Sequence, residues 1–404
     1  MNSNGCVRAL CALPLALAAA GTRAADWSVE WMPAFGGPAV EVWDLNDRGE
    51  LIGLDPSGPY NSTSRTFLYS GGTLTELSGV LGLGATVNGI NNHGQITGTV
   101  GDNVYRYDRG ALTVYHLDGV RDTSYEINSR GQILVSSIEP ERQNTFVIDR
   151  NGRVTTIGPA EGDTGASAVG LNDRGEVAGT LRTYGVMGSQ AYVHRRGEMT
   201  LLMPQVQSTS AAGISQAGHV AFNYGAPGGH YRAAIWHDGV VTDLGTLGGG
   251  NSLVYDVNSA GEAIGSSATA TGDATFLYSY GSMINLTALV GGTRVFPRDI
   301  NDQGVVVGTY QPLGTSDLHL FAYVDGQVID VTRWLMASFS DIASVGNWYN
   351  GNLQLNDVGQ LAATARMRDG SSRVFIVSSV PEPALGLMLL LGLVPLAALR
   401  RRRE

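Results

Sequence analysis

Cysteine is almost missing from this chain of 404 residues, and the two present, Cys6 and Cys11, both fall near its start. Neither follows the small-residue pattern that marks a lipid attachment. Both sit in a segment that reads as removable, so a small domain stapled by disulfides is excluded, and the body must rely on a large core and many hydrogen bonds. Lysine is absent altogether: all 26 basic residues are arginine. Apolar residues repeating every 3.6 positions over long stretches are also lacking, which excludes helical repeats.

The two ends carry the longest apolar runs. Arg8 is the only charge before a run from Ala9 to Ala20, followed by the small residues around Thr22, Arg23 and Ala24. Residues 1–24 therefore read as a secretory signal removed by signal peptidase after Ala24, with Ala25 the neighbouring alternative. At the other end, Val380, Pro381, Glu382 and Pro383 precede an apolar span from Ala384 to Leu399, then Arg400, Arg401, Arg402, Arg403 and Glu404. As a helix that span is about 24 Å long, short of a hydrocarbon core of about 30 Å, so it must thin the bilayer or borrow its flanks. Four consecutive arginines stay on the cytoplasmic side, which puts everything before Pro381 outside.

With both ends set aside, the body holds 20 arginines against 34 acids, a balance of −14. Such a charge argues against nucleic acid or anionic lipid as its partner and suits solubility outside the cell.

The tail, residues 380–404, resembles the PEP-CTERM sorting signal of Gram-negative bacteria: a Pro-Glu-Pro motif, a short apolar span and a terminal arginine cluster, in that order. The resemblance implies cleavage by an exosortase near the motif. The chain would be anchored in the inner membrane during sorting and then displayed at the cell surface or in the matrix, usually in species that make extracellular polysaccharide.

Between the ends, residues 25–379 repeat a unit of two hairpins. The first hairpin turns through Asn-x-x-Gly, at Asn46/Gly49, Asn91/Gly94, Asn128/Gly131, Asn172/Gly175, Asn258/Gly261, Asn301/Gly304 and Asn356/Gly359, with Ser215 replacing the asparagine once. Successive gaps are 45, 37, 44, 43, 43, 43 and 55 residues. Asparagine can hydrogen-bond backbone groups two residues on, and glycine accepts the positive φ that ends such a turn. The second hairpin, as in ATFLYSYGSMINL or AAIWHDGVVTDL, turns through a glycine-containing pair.

About 43 residues and four short strands per unit is the size of a propeller blade. Runs such as FLYS, IWH and VVVG are apolar on both faces, as blades packed between two neighbours require. Eight copies predict an all-β propeller of eight four-stranded blades; the irregular gaps leave seven blades, or two smaller rings, open. The last copy stops at RVFIVSS without its fourth strand, and WSVEWMP is spare at the start, so residues near Trp27 to Trp31 are expected to complete the final blade and remove the open edge.

The aromatic hairpin, the Asp243–Gly250 sequence DLGTLGGG and the Asn-x-x-Gly turn resemble the HAF repeat family of extracellular bacterial proteins over most of residues 40–380. The third, fourth and fifth repeats depart from the pattern after the hairpin. The resemblance implies no established activity and no cofactor.

The search for chemistry yields little. The seven histidines include no pair spaced to share a metal from one strand or helix. The glycine-rich stretches near Gly82–Gly89 and at Gly245–Ser252 lack the Gly-Lys-Ser/Thr ending of a phosphate loop and read as turns between blades. The Asn-Asp pairs at Asn46/Asp47, Asn172/Asp173, Asn301/Asp302 and Asn356/Asp357 offer too few oxygens for a calcium loop and read as backbone caps. No Gly-x-Ser-x-Gly nucleophile elbow occurs. The aromatics Phe276, Tyr278, Trp236 and Tyr323 recur at equivalent strand positions and read as core.

Two functions follow. One is a non-catalytic surface or matrix protein whose loops bind polysaccharide or another protein. The other is an extracellular hydrolase or lyase acting on glycans with acidic residues in the propeller funnel. Incubation of the body with host exopolysaccharide separates them: release of shorter sugars favours the enzyme, and retention without cleavage favours the binder.

Overall fold

The computed structural model describes residues 27–379 except positions 34, 36–39, 57–63, 83, 118–122, 138–143, 159–163, 184–187 and 346–352. The signal positions Ala24 and Ala25 and the tail positions Val380 to Pro383 and Arg400 to Arg403 lie outside the described residues. Among those residues no helix is long and apolar enough to cross a membrane.

Eight antiparallel sheets follow one another along the chain. Their innermost strands are Glu41–Leu45, Gly89–Ile90, Thr123–Ile127, Thr164–Leu171, Thr209–Ile214, Gly248–Val257, Gly292–Ile300 and Leu353–Leu355. Each contacts the next around the series, and the last contacts the first, so the blades close an eightfold ring.

The expected closure is present. Trp27–Trp31 pairs antiparallel with Ser372–Ser379, Trp31 opposite Phe375, and forms the outer strand of the eighth blade. The gap of 55 residues before the last repeat is an insertion rather than a missing blade. It forms the helix Val331–Ser338, capped by Asp330 accepting from Arg333 N, and the strand Ile342–Val345, which joins the eighth sheet as a fifth member. Its aromatics brace the closing strand, Trp334 edge-on to Trp27 at 5.8 Å and Phe339 to Trp31 at 5.3 Å between ring centroids.

Apolar residues collect between blades. Eight buried clusters are found among the described residues, and each draws from two adjacent blades. This is why the strands lack one-sided alternation: both faces of every sheet are covered.

Within a blade, a small residue on the second strand faces a ring on the third. The pairs are Gly53/Phe67, Gly98/Tyr105, Gly179/Tyr192, Gly265/Phe276, Gly308/Phe321 and Ala363/Phe375. Blade five inverts the order, with Phe222 opposite Ala234. A Cβ on Gly265 would overlap the Leu253 carbonyl oxygen and stand 2.7 Å from the Phe276 ring, so both the inner strand and the aromatic need glycine there.

Candidate functional site

The Asn-x-x-Gly turns all lie at one end of the ring, around the axis. Each asparagine Oδ1 accepts from the backbone N–H four residues on, and six of the seven also from that two residues on, as at Asn301 with Gln303 N at 3.1 Å and Val305 N at 2.9 Å. That is the local cap expected from sequence.

The other half of each side chain does something the sequence did not announce. Its Nδ2 donates to the carbonyl oxygen of the equivalent residue in the next blade: Asn46 to Asn91, Asn91 to Asn128, Asn128 to Asn172, Asn172 to Ser215, Asn258 to Asn301, Asn301 to Asn356 and Asn356 back to Asn46, at 2.8–3.2 Å. The residue after the asparagine adds a second circle. Asp47 N donates to Asn92 Oδ1, Ser259 N to Asp302 Oδ1, Asp302 N to Asp357 Oδ1 and Asp357 N to Asp47 Oδ1. The Asn-Asp pairs are therefore joints between blades as well as caps.

The turn glycine has two reasons to be glycine. Gly261 has φ +76°, and a Cβ on it would meet the His219 ring of the preceding blade at 3.3 Å. The second reason recurs around the ring, where the nearest atom is the polar end of a side chain from the preceding blade's turn. Gly49 faces Gln360 at 3.2 Å, Gly94 faces Glu50 at 3.1 Å, and Gly131 and Gly175 face Gln95 and Gln132, each at 2.9 Å. Gly304 faces Glu262 at 2.9 Å and Gly359 faces Gln303 at 3.4 Å.

Ser215 is the one break in the asparagine circle, because its short hydroxyl accepts from its own His219 N at 3.1 Å and leaves the Asn258 carbonyl without this donor. We expect Ser215→Asn to raise stability by about 1 kcal/mol, the net worth of one buried hydrogen bond. Thermal denaturation reads this directly, and a melting temperature at or below that of the wild type would refute the joint.

Acidic groups converge at this axis. Asp44, Glu126, Asp256 and Asp299 each precede a turn asparagine by two positions, on inner strands of blades one, three, six and seven. Asp44 accepts from Leu45 N and, across the blade boundary, from Ile90 N, both at 2.8 Å; Glu126 accepts from Leu171 N of the next blade at 2.9 Å. Burial raises the Asp44 carboxyl to about 6 against these hydrogen bonds. Glu126, open to the axial space yet surrounded by protein, is raised to about 7 by enclosure, with Asp44 and Asp173 adding repulsion. Asp256 and Asp299 are pushed up by burial first and then by neighbouring carboxylates, Glu126 acting on Asp256, and Asp256, Asp357 and Asp44 on Asp299. Aromatics accompany them: Trp43, Tyr255 and Phe296, all on inner strands, are exposed rather than packed between blades.

Two grooves open on the same end of the ring, between the first-hairpin and second-hairpin turns of adjacent blades. The larger, about 870 Å³, crosses blades five to seven and is lined by His219, His237, Asp238, Glu262, Tyr278, Tyr280, Asp302, Tyr323 and Asp325 among others. His219 and His237, eighteen positions apart in sequence, stack at 4.0 Å there, and burial together with the neighbouring imidazole lowers the His219 pKa. Tyr280 is wholly exposed at a hairpin tip with φ +50°. The smaller groove, about 520 Å³, lies between blades two and three and is lined by His93, Gln95, Ser129, Arg130, Gln132, Asp149, Arg150 and Asn151.

These grooves set apart residues that the repeat makes equivalent. The turn glycines, equivalent in the repeat, differ in whether they border a groove. Gly261 and Gly304 line the larger groove, whereas Gly49, Gly94, Gly131, Gly175 and Gly359 line neither groove.

Trp236 and Phe276 are core, 3 % and 0 % exposed, but Tyr278 and Tyr323 are only partly buried and line the larger groove. Their hairpin-end position exposes one ring face while the other packs between blades. The Gly245–Ser252 stretch is likewise more than a turn, since Gly248 to Ser252 already belong to the inner strand of blade six. Among the described residues no three His, Cys, Asp or Glu side chains are grouped to hold a metal ion.

No family model matches the chain, and no curated protein does. Solved structures do. Dipeptidyl peptidase 4 of Porphyromonas gingivalis aligns with a TM-score of 0.54 at 11 % identity, over 81 % of this chain and 57 % of that one. The β-propeller domain of the Trilobed protease from Pyrococcus furiosus gives 0.48 at 11 % identity over 72 % and 95 % of the two chains. Virginiamycin B lyase from Staphylococcus aureus gives 0.42 at 10 % over 75 % and 97 %. The likeness to the peptidase is one of fold alone, and the chain is a β-propeller.

Proposed function

We propose that this is an exported, exosortase-processed cell-surface or extracellular-matrix protein, whose HAF-type propeller binds polysaccharide or protein without catalysis of its own. The observation that carries the binding reading is the contrast at the turn end of the ring. One hydrogen-bonded framework recurs from blade to blade, while the side chains lining the grooves between the turns change. A constant frame with variable linings is how a rigid scaffold presents a recognition surface.

The sorting half of the proposal rests on the tail sequence and is tested in cells. Glu382→Ala should block processing, so that the full-length chain accumulates in the inner-membrane fraction; normal release of the variant would remove the exosortase from the account. The binding half is tested by incubating the purified body with host exopolysaccharide, where retention without shortening of the polymer is expected.

A second reading has its own support in the axial carboxyls. A carboxyl that keeps its proton near neutral pH beside ionised ones is the pairing glycosidases use as acid and base or nucleophile. If the body released shorter sugars, and Asp299→Asn abolished that release, the glycan-active reading would replace the binding one.

A further inference from the structure

The repeats provide an internal control for which exposed side chains the fold needs. The third residue of the Asn-x-x-Gly turn is Arg48, His93, Arg130 and Arg174 in blades one to four, but Ala217, Ala260, Gln303 and Val358 in blades five to eight. Backbone geometry is the same in both sets, with each glycine N–H returning to the carbonyl of the first turn residue at 2.9–3.1 Å. At the second-hairpin tips blade one turns through Gly71 and Gly72, and blades two to four carry arginine. Arg109 and Arg196 sit at φ +48° and +54° in blades two and four, where blades five to seven hold Asp238, Tyr280 and Asp325 at +47° to +50°. The tip of blade three carries Arg150.

Arginine is therefore not required to build either turn, yet it gathers on one half of one end of a ring whose body carries a net charge of −14. Arg48, Arg109, Arg130, Arg150, Arg174 and Arg196 are all exposed. Arg48 and Arg174 pair with Glu50 and Glu176 in their own turns. The carboxylates of Asp149 and Asp173 are occupied by backbone N–H groups, of Asn151 and Arg153 in the first case and of Ser129 in the second. Arg130 reaches across to the Arg174 carbonyl at 2.9 Å, so the guanidiniums of neighbouring blades form one surface. Among the described residues the tip arginines, Arg109, Arg150 and Arg196, have no carboxylate partner.

We propose that this arginine-rich half, centred on the groove between blades two and three, binds an acidic polysaccharide bearing carboxylates. Guanidinium forks match planar carboxylates bidentately. Gln132 and Asn151 in the same groove supply the amides that hydroxyl groups require. No Phe, Tyr or Trp ring lines that groove to stack a base, and the acidic remainder of the body repels a polymer as densely charged as nucleic acid. The inference deepens the binding reading by naming the ligand class and the half of the surface that takes it.

The test uses the purified body with three probes at low salt: a polyuronate, neutral dextran and a DNA duplex. The polyuronate should be retained, with weakening as salt rises. The triple variant Arg109→Gln, Arg150→Gln and Arg196→Gln should bind it about tenfold more weakly with an unchanged melting temperature. A gain that misfolding cannot imitate is expected from Tyr280→Arg with Asp325→Arg, which continues the arginines onto blades six and seven at positions whose conformation arginine already adopts in blades two and four. Equal binding by wild type and triple variant, or no gain in the double variant, overturns the proposal. Retention of dextran but not polyuronate overturns it while leaving the binding reading standing, preference for the duplex assigns the surface to nucleic acid, and retention of none of the three overturns both.

Discussion

Phe276→Ala is expected to lower the stability of the propeller by about 3–5 kcal/mol, the range for deleting a fully enclosed aromatic ring. Phe276 is 0 % exposed and belongs to the cluster between blades five and six, with Ala221, Ala233, Leu244 and Val254 around it. The hole would be hard to close, because the ring lies over Gly265, which has no side chain to fill the space, and Ala221 and Ala233 of blade five are too short to reach into it from a sheet locked by its own ladder. Tyr280→Ala is the matched control, four positions further along and wholly exposed, and should leave stability within about 0.5 kcal/mol. Urea denaturation of the two variants decides the matter: a Phe276→Ala loss below about 1 kcal/mol would mean that the ring is not an interblade keystone.

The second large effect concerns pH. Raised carboxyl pKa values mean that the folded ring holds protons the unfolded chain has already released. Stability from this source is fully present below about pH 4, where both states are protonated, and is lost as pH rises through the folded values, about 6 for Asp44 and about 7 for Glu126. Two half-buried histidines oppose this, since His194 and His219 are lowered by partial burial and favour the neutral form; their contribution is lost on acidification instead.

Asp299→Asn isolates the axial term. The amide keeps the shape, removes the charge most strongly opposed by burial and by Asp256, and should stabilise the protein by roughly 1–3 kcal/mol at pH 8 while changing it little below about pH 4, where both states are protonated. Melting curves of both proteins across that interval measure the difference. Parallel curves for wild type and variant would show that water in the axial space already screens the carboxyls.

How much of this was legible beforehand differs from feature to feature. The hairpin periodicity, the glycine at positive φ, the asparagine cap and the spare Trp27–Trp31 strand are local properties, each set by a few consecutive residues and readable in them. Which turn glycines border a groove was not readable, because Gly49 and Gly261 occupy the same place in the repeat and differ only in what the neighbouring blade lays beside them. The insertion of 331–345 appeared only as an irregular gap, because its short helix and extra strand make sense only against the closing strand they brace. Tyr278 and Tyr323 were read as core, since alternation within a strand reports which residues share a face but not where along the blade packing stops. The axial carboxyls went unnoticed although Asp44, Glu126, Asp256 and Asp299 share one offset from the turn asparagine. Glycine or glutamine holds that offset in the remaining blades, as at Gly170 and Gln354, so the repeat does not enforce it.

From the amino-acid order alone came the repeating strand-turn-strand unit and the strand that ends the series, because backbone conformation is chosen by neighbours in the chain, whereas eight blades rather than seven was decided by the closed ring. The joining of Asn356 to Asn46, the stacking of His219 on His237, the crowding of four carboxyls at the centre and the gathering of arginines on one half were decided only in three dimensions. Each depends on the curvature that brings separate blades around to meet, and that curvature arises from the packing of whole sheets against each other.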